Sequence, residues 1–275
     1  MEINRKSSSW LTVGLLIIVI LYLYPLFVTV MNSFKTYGEM FDSFISLPSK
    51  LNFDNYSKAL ETLDYATSLK NSVLLTGITV IGILITASLA GYKLSRVKSK
   101  FNRFMYTLFI LPYLIPFFAY MIPVVQMANQ FNLNNSIIGV SLINIGTSGS
   151  FALLMFHGFV KSVPRELDEA GYIDGCSEMD VFFRIIVPLM KPIISTVAIV
   201  YSLWIWNEFL IPFLLLSNDN SNTLIIKMYE LFGTYGSKWD IILASMVLIS
   251  MPIIVLYILF QRQIISGISA GAVKG

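Results

Sequence analysis

Cysteine and histidine are nearly absent from this chain of 275 residues, which has one of each, Cys176 and His157. A single cysteine cannot close an internal disulfide and a single histidine cannot supply a multi-histidine metal site, so neither redox nor zinc chemistry is expected. Charge is scarce as well. Lys, Arg, Asp and Glu make up 13% of the residues where soluble domains average ~25%, while 56% are hydrophobic and the mean hydropathy is +0.72. The phosphate-cradling pattern G-x-x-x-x-G-K-[ST] occurs nowhere, so the chain carries no evident means of holding ATP.

What is present is long apolar sequence. A helix needs about 20 mainly apolar residues to cross ~30 Å of hydrocarbon. Six stretches qualify, at roughly 10–31, 71–92, 104–127, 137–160, 193–216 and 241–260. They predict an all-α polytopic membrane protein, one bundle of six transmembrane helices over 1–275. The first apolar run is too long for the core of a secretory signal and no small-x-small cleavage pattern follows it, so it is expected to stay as an anchor.

The net charge of +3 points to no acidic partner and no nucleic acid, because in a polytopic chain the placement of the cations is what matters. With six spans, Arg5, Lys6, Lys93, Arg96, Lys98, Lys100, Arg103, Lys161, Arg165, Arg184, Lys191, Arg262 and Lys274 fall on one side, 13 of the 19 basic residues. The positive-inside rule then predicts that both termini are cytoplasmic. The short basic turn Lys93 to Arg103 reads as a topological anchor facing anionic lipid.

Residues 32–70, with Pro48, Asn52, Asp54 and Asn55, are too polar to insert and are expected outside, as a partly helical cap with an amphipathic helix over 55–69. Pro112, Pro116 and Pro123 predict a kink in the third span, with Pro116 a candidate lining residue of a pathway. The loop 161–192 reads as two helices. Pro164 starts the first, Gly175 ends it, and Ser177 with Asp180 three residues on starts the second, whose apolar side chains Val181, Phe182, Phe183, Ile185 and Ile186 run toward Pro188 and Pro192. Arg165 and Glu169 share a charged face beside Ala170 and Gly171, where another protein surface could approach closely.

At these residues the chain resembles the permease subunits of ATP-binding cassette importers, whose cytoplasmic signature runs E-A-A, three residues, G, nine residues, I-x-L-P. Glu169-Ala170-Gly171, Gly175, Ile185 and Val187-Pro188 fill that frame, with Gly171 where alanine is usual and Val187 where leucine is usual. The resemblance extends to the second permease of maltodextrin-type carbohydrate importers through Asn32-Ser33-Phe34-Lys35, Asn71-Ser72, Ala90-Gly91-Tyr92, Glu166-Leu167-Asp168-Glu169, Trp206-Asn207-Glu208-Phe209 and the ending Ala270 to Gly275.

That resemblance implies a heterodimer with a related permease, two copies of a cytoplasmic ATPase subunit holding ATP and Mg, an extracytoplasmic solute-binding protein, an oligosaccharide cargo and a prokaryotic cell membrane. No cofactor is implied for this chain, and no enzymatic reaction. It also implies that Glu166, Glu169, Ala170, Gly171, Asp174, Gly175 and Pro188 couple the bundle to the ATPase. The slender tail 264–275 would touch the ATPase through Ala270, Gly271, Ala272, Val273, Lys274 and Gly275.

Glu208 is the acid at membrane depth, where a charged carboxylate costs on the order of 3 kcal/mol, so it must face the interior or a partner. Helical spacing puts Trp204, Asn207, Glu208 and Ile211 along one face, an aromatic platform beside hydrogen-bonding groups such as sugars use. The other reading is that Asn207 and Glu208 bond neighbouring helices or the second permease, and that Trp204 merely packs. The same machine with a polyol or glycerol-phosphate-type cargo is the alternative closest in kind. A lipid-modifying enzyme using Glu208, Glu169 and Asp174 is disfavoured because the topology keeps the last two far from the first. A channel or scaffold that uses no ATP is the remaining class.

Overall fold

The computed structural model describes the backbone of residues 5–234 and 238–272 and the side chains of 10–233 and 238–261. Helices account for nearly all of it: α1 (Arg5–Ser33), α2 (Tyr37–Asp42), α3 (Asp54–Thr62), α4 (Tyr65–Arg96), α5 (Lys100–Leu114), α6 (Met121–Gln130) and α7 (Ile137–Ser162). After these come α8 (Glu166–Ile173), α9 (Glu178–Asp180), α10 (Val187–Leu189), α11 (Lys191–Trp206), α12 (Leu210–Leu215), α13 (Leu224–Thr234) and α14 (Trp239–Ala272).

Four helical segments among the described residues are long and apolar enough to cross a membrane: Trp10–Ser33, Tyr65–Arg96, Ile137–Ser162 and Trp239–Gln261. The pair Glu178–Leu189 and Lys191–Trp206 meets the same length and composition only when taken together, and it is bent by 76°. The continuous helices expected over 104–127 and 193–216 are broken instead. In the first case Pro116 forces its predecessor out of the helical region, and Ile115 sits at φ −94°, ψ 124°, so α5 stops at Leu114 and α6 starts only after a 3-10 turn over Phe117–Ala119. In the second, α11 ends at Trp206 and a new helix begins at Leu210, which puts Pro212 in a first turn, where a missing N–H leaves no helical bond unmade.

The chain divides into two compact units, residues 1–66 with 227–252 and residues 67–226 with 253–275. In the first, α1 is apolar on every side and none of its most apolar 18-residue stretch is buried within the chain, as suits a helix solvated by lipid. Its end is tied into a polar knot. Asn32 Nδ2 donates to the carbonyls of Val28 and Phe44, Lys35 Nζ to that of Ser43, and Asn55 Nδ2 to those of Ser33 and Lys35. Thr36 and Glu39 close a capping box over α2, and Glu39 also bonds Ser49. The helix predicted over 55–69 is interrupted: α3 ends at Thr62, Asp64 turns left-handed (φ 41°), and α4 begins at Tyr65. Ala59 of α3 packs on Ile241 and Ala244 of α14.

The second unit is built around a core shared by α4, α7, α11 and the second arm of the 161–192 loop. Ile83, Ala87 and Tyr92 meet Ala152, Phe156 and Val160, and against them lie Val181, Phe182, Ile186, Met190, Val197 and Tyr201. Tyr201 Oη accepts from the Ala152 N–H and donates to the Ser148 carbonyl, threading α11 onto the backbone of α7. A Cβ at Gly91 would stand 2.8 Å from Phe156 Cβ and 3.0 Å from the His157 nitrogen, so α4 and α7 cross with their backbones nearly touching. At the other end of α4, Asn71 Nδ2 donates to the carbonyls of Asn220 and Asn222, and Ser72 Oγ accepts from the Leu224 N–H.

Gly91→Val should therefore overpack the crossing and lower stability by about 1–3 kcal/mol, whereas Gly77→Ala, with nothing within 4 Å of its added carbon, should be neutral. Thermal unfolding of the purified protein in detergent reads both; equal midpoints would contradict the close crossing.

Candidate functional site

The 161–192 loop folds as the punctuation in its sequence requires. α8 opens just after Pro164 with Glu166, Asp168 and Glu169 in its first turn, where the helix dipole favours acids. It ends where Gly175 takes φ 82° and the Cys176 N–H reaches back to the Gly171 carbonyl at 2.9 Å. Ser177 and Asp180 then form a reciprocal capping box. The Ser177 hydroxyl, its backbone N–H and nearby Arg184 together hold the Asp180 carboxyl below the usual carboxylate range. Between α9 and α10 the chain widens into a π turn over Val181–Ile186, closed by the Val187 N–H on the Phe182 carbonyl, so that Pro188 can follow without a donor of its own.

α8 has two unlike faces. Glu166, Glu169, Ala170, Tyr172, Ile173, Asp174 and Gly175 are exposed, and Ile173 is 85% exposed although apolar. Asp168 and Gly171, one turn apart, point inward. Gly171 is buried: a Cβ there would come within 2.7 Å of Ile185 and 2.9 Å of Val181, so its small size lets α8 pack on the loop's own second arm. Pro188 is exposed at the foot of that arm.

Asp168 is the residue that sequence reasoning passed over. Its Oδ2 pairs with Arg96 Nη2 at 2.7 Å, its Oδ1 accepts from the Tyr92 hydroxyl at 2.8 Å, and the two charged side chains are about 10% exposed (11% and 8%). Arg96 Nη1 donates to the Val163 carbonyl, and Arg165 Nη2 caps the last carbonyls of α4, Ser95 and Arg96. Lys93 adds an exposed pair with Glu178 at 2.6 Å, of little energetic weight. Tyr92 and Arg96 stand one turn apart on α4 and both reach Asp168 of α8. A tyrosine and an arginine four apart at a helix end, with an acid in the first turn of the loop helix α8, is the signal that would have revealed the clamp. Arg96, expected to be a lipid-facing anchor, is instead committed to this pair.

The candidate pathway residues lie elsewhere. Pro116 is exposed at the α5–α6 break. Trp204 is half exposed, its ring against Phe151 and Tyr201. Asn207 is exposed and donates back to the Leu203 carbonyl, and the half-buried Glu208 accepts the Ile211 N–H through Oε1, capping α12. Ile211 does not extend the Trp204 face, because the helix has broken before it; it is buried with Leu75, Ile143 and Ile205. In the C-terminal stretch, α14 stays helical through Ala272, so Ala270, Gly271 and Ala272 are helix rather than slender thread. Val273, Lys274 and Gly275 lie outside the described residues.

Residues 78–269 match the family described as the binding-protein-dependent transport system inner membrane component. The chain belongs to this family. The permease is 34% identical, over 94% of both chains, to a probable starch degradation products transport permease of Thermoanaerobacterium thermosulfurigenes. It is 35% identical to an arabinooligosaccharides transport permease of Halalkalibacterium halodurans, over 99% of this chain and 100% of that one. A chain from the crystal structure of a bacterial ABC transporter involved in the import of the acidic polysaccharide alginate superposes with a TM-score of 0.80 at 21% identity, covering 95% of the permease and 98% of that chain. At such identity the likeness shows a shared fold.

Removing one partner of the buried pair strands the other charge away from water, so Asp168→Ala and Arg96→Ala should each cost about 3–5 kcal/mol. The double substitution should cost less than the sum by at least ~1 kcal/mol. Denaturant or thermal unfolding of the four proteins measures this, and strict additivity would show that the clamp carries no coupling.

Proposed function

We propose that this chain is one of two permeases in an ATP-driven, binding-protein-dependent importer of oligosaccharides, and that the exposed face of α8 is the foot by which a cytoplasmic ATPase subunit moves the bundle. The observation that carries the proposal is the two-sidedness of α8. An outward face of acids around an unburied Ile173 suits a partner's cleft, while the inward face is bolted to α4 through Asp168 and Arg96.

The broken helices supply the remaining passes. α5 with α6, and α11 with α12, together with α1, α4, α7 and α14, make six crossings with both termini cytoplasmic, a topology supported by the 13 basic residues it gathers on one side. Glu166, Glu169, Ala170, Tyr172, Ile173, Asp174 and Gly175 then meet the ATPase, which holds the ATP and Mg. The terminal residues Ala270, Gly271, Ala272, Val273, Lys274 and Gly275 would contact it as well. A second permease completes the pathway and an extracytoplasmic binding protein delivers the sugar. The transport of starch products and arabinooligosaccharides by relatives at 34% and 35% identity supports the cargo class.

Closing of the ATPase pair would drag α8, and two routes lead upward from it. One runs through the Arg96–Asp168 clamp into α4. The other runs through Val181, Phe182 and Ile186 into the core that holds α7 and α11. The break at Asn207 lies at the far end of α11, where a change in tilt would alter the exposure of Trp204.

Ile173→Glu and Ala170→Trp, both on the exposed face, should abolish co-purification of the ATPase subunit and sugar uptake while leaving the thermal midpoint of the permease pair within a degree or two of wild type, since exposed substitutions cost at most about 0.5 kcal/mol. Retained ATPase and uptake would overturn the assignment of the foot. Glu208→Gln keeps the oxygen that caps α12, so assembly should be normal while uptake falls several-fold; normal uptake would remove Glu208 from the pathway.

A further inference from the structure

Two cavities lie end to end in the groove formed by α4, α5 and α7, and they differ in chemistry. The one at the α4–α5 turn, about 640 Å3, is lined by Lys98, Lys100, Arg103 and Lys161, with Tyr106 and His157 at its back. Four cations converge there, and none of them has a carboxylate partner among the described residues. The second cavity, about 320 Å3, is apolar and contains no ionisable side chain; Ala87, Ala90, Phe109, Gly149 and Leu153 line it.

Each wall of the groove runs from one cavity into the other within about a helical turn. Ala90 leads to Leu94 on α4, Phe109 to Tyr106 on α5, and Leu153 to His157 on α7. The rings of Tyr106 and His157 lie tilted against each other, centroids 4.1 Å apart, where the basic chamber begins. The order along the groove is therefore a cationic chamber and then an oily slot running into the apolar length of the helices. This is the profile of a molecule with an anionic head and a hydrocarbon tail.

We infer that this groove binds one anionic phospholipid, its phosphate-bearing headgroup held by Lys98, Lys100, Arg103 and Lys161 and one acyl chain lying along Ala90, Phe109 and Gly149. Basic pockets between membrane helices attract such headgroups beyond what the surface potential of the leaflet supplies. The inference takes from the proposed topology only which leaflet the lipid occupies, the cytoplasmic one. It places a lipid next to the same α4 end that carries Arg96, so the occupant would brace the clamp from the opposite side of the turn.

The test uses the assembled complex, released from nanodiscs containing phosphatidylglycerol or phosphatidylcholine and weighed by native mass spectrometry. Phosphatidylglycerol should be retained at least fivefold more than phosphatidylcholine. Lys98→Gln with Arg103→Gln should remove that preference. Gly149→Leu should lower retention from the other end, because nothing lies within 4 Å of a Cβ at that position and the added side chain has room to fill the slot without disturbing the fold. Equal retention of the two lipids, or unchanged retention in both variants, would overturn the inference. So would displacement of the lipid preference by millimolar inorganic phosphate together with an inert Gly149→Leu, which would assign the chamber to free phosphate. Lipid retention is read independently of ATPase attachment, so a complex that binds phosphatidylglycerol but no ATPase would refute the transport reading and leave this one intact.

Discussion

The Arg96–Asp168 pair is the interaction on which the arrangement of the second unit depends. Two charges withdrawn from water are tolerated only when each supplies what the other lost, and here the Tyr92 hydroxyl bonds Asp168 Oδ1 and the Val163 carbonyl bonds Arg96 Nη1, while Arg96 Nε is buried with no hydrogen-bond partner among the described residues. The pair joins the last turn of one long apolar helix to the first turn of a short polar one. It does so where the carbonyls ending α4 and the N–H groups opening α8 would otherwise need water, and Arg165 covers the first of those sets. The short helix consequently cannot pivot on its own. With Gly171 seated against Val181 and Ile185, the loop behaves as a single bracket whose two arms end in α4 and in the α7–α11 core.

The same rule, that polar groups out of water must find partners inside the protein, accounts for the broken helices. Hydrocarbon tolerates a gap in a helix ladder only where the freed groups are bonded elsewhere. At the α11–α12 break Glu208 takes the Ile211 N–H and Asn207 returns to the Leu203 carbonyl, so both side chains repair the backbone that Pro212 prevents from continuing. At the α5–α6 break the repair is by the chain itself, through the 3-10 turn that bonds the Ala119 N–H to the Pro116 carbonyl. The two breaks shorten what composition shows as two continuous apolar runs, and hydropathy alone has no means of seeing them.

How much was readable in advance follows from this. The punctuation of the loop was, because Pro164, Gly175, Ser177 and Asp180 act locally and in sequence order. The helical class and the apolar stretches were too, since they depend only on composition over about 20 residues. The direction in which Gly171 faces was not, and neither was the engagement of Arg96. Both depend on which helix lies opposite, a fact of tertiary packing that a charge count cannot supply. The break at Asn207 was legible in Pro212, four residues after Glu208, and went unread because the apolar run continues on both sides of it.

The blocks that carry the family likeness share a chemical character that bears on cargo. Asn32 and Lys35 hold the backbone of residues 43 and 44, Asn71 and Ser72 hold that of residues 220–224, Tyr92 holds Asp168, and Asn207 and Glu208 hold their own helix ends. These polar groups are engaged in making the fold, and a sugar hydroxyl would have to compete with a backbone bond to reach them. Selection among sugars would then rest on side chains with a face to spare, such as half-exposed Trp204 and half-buried Glu208, whose Oε1 alone carries the helix cap, or on the partners proposed above. A chain can thus declare its family through its stitching and remain silent about its cargo, because the residues that build the bracket and those that greet the solute are different sets.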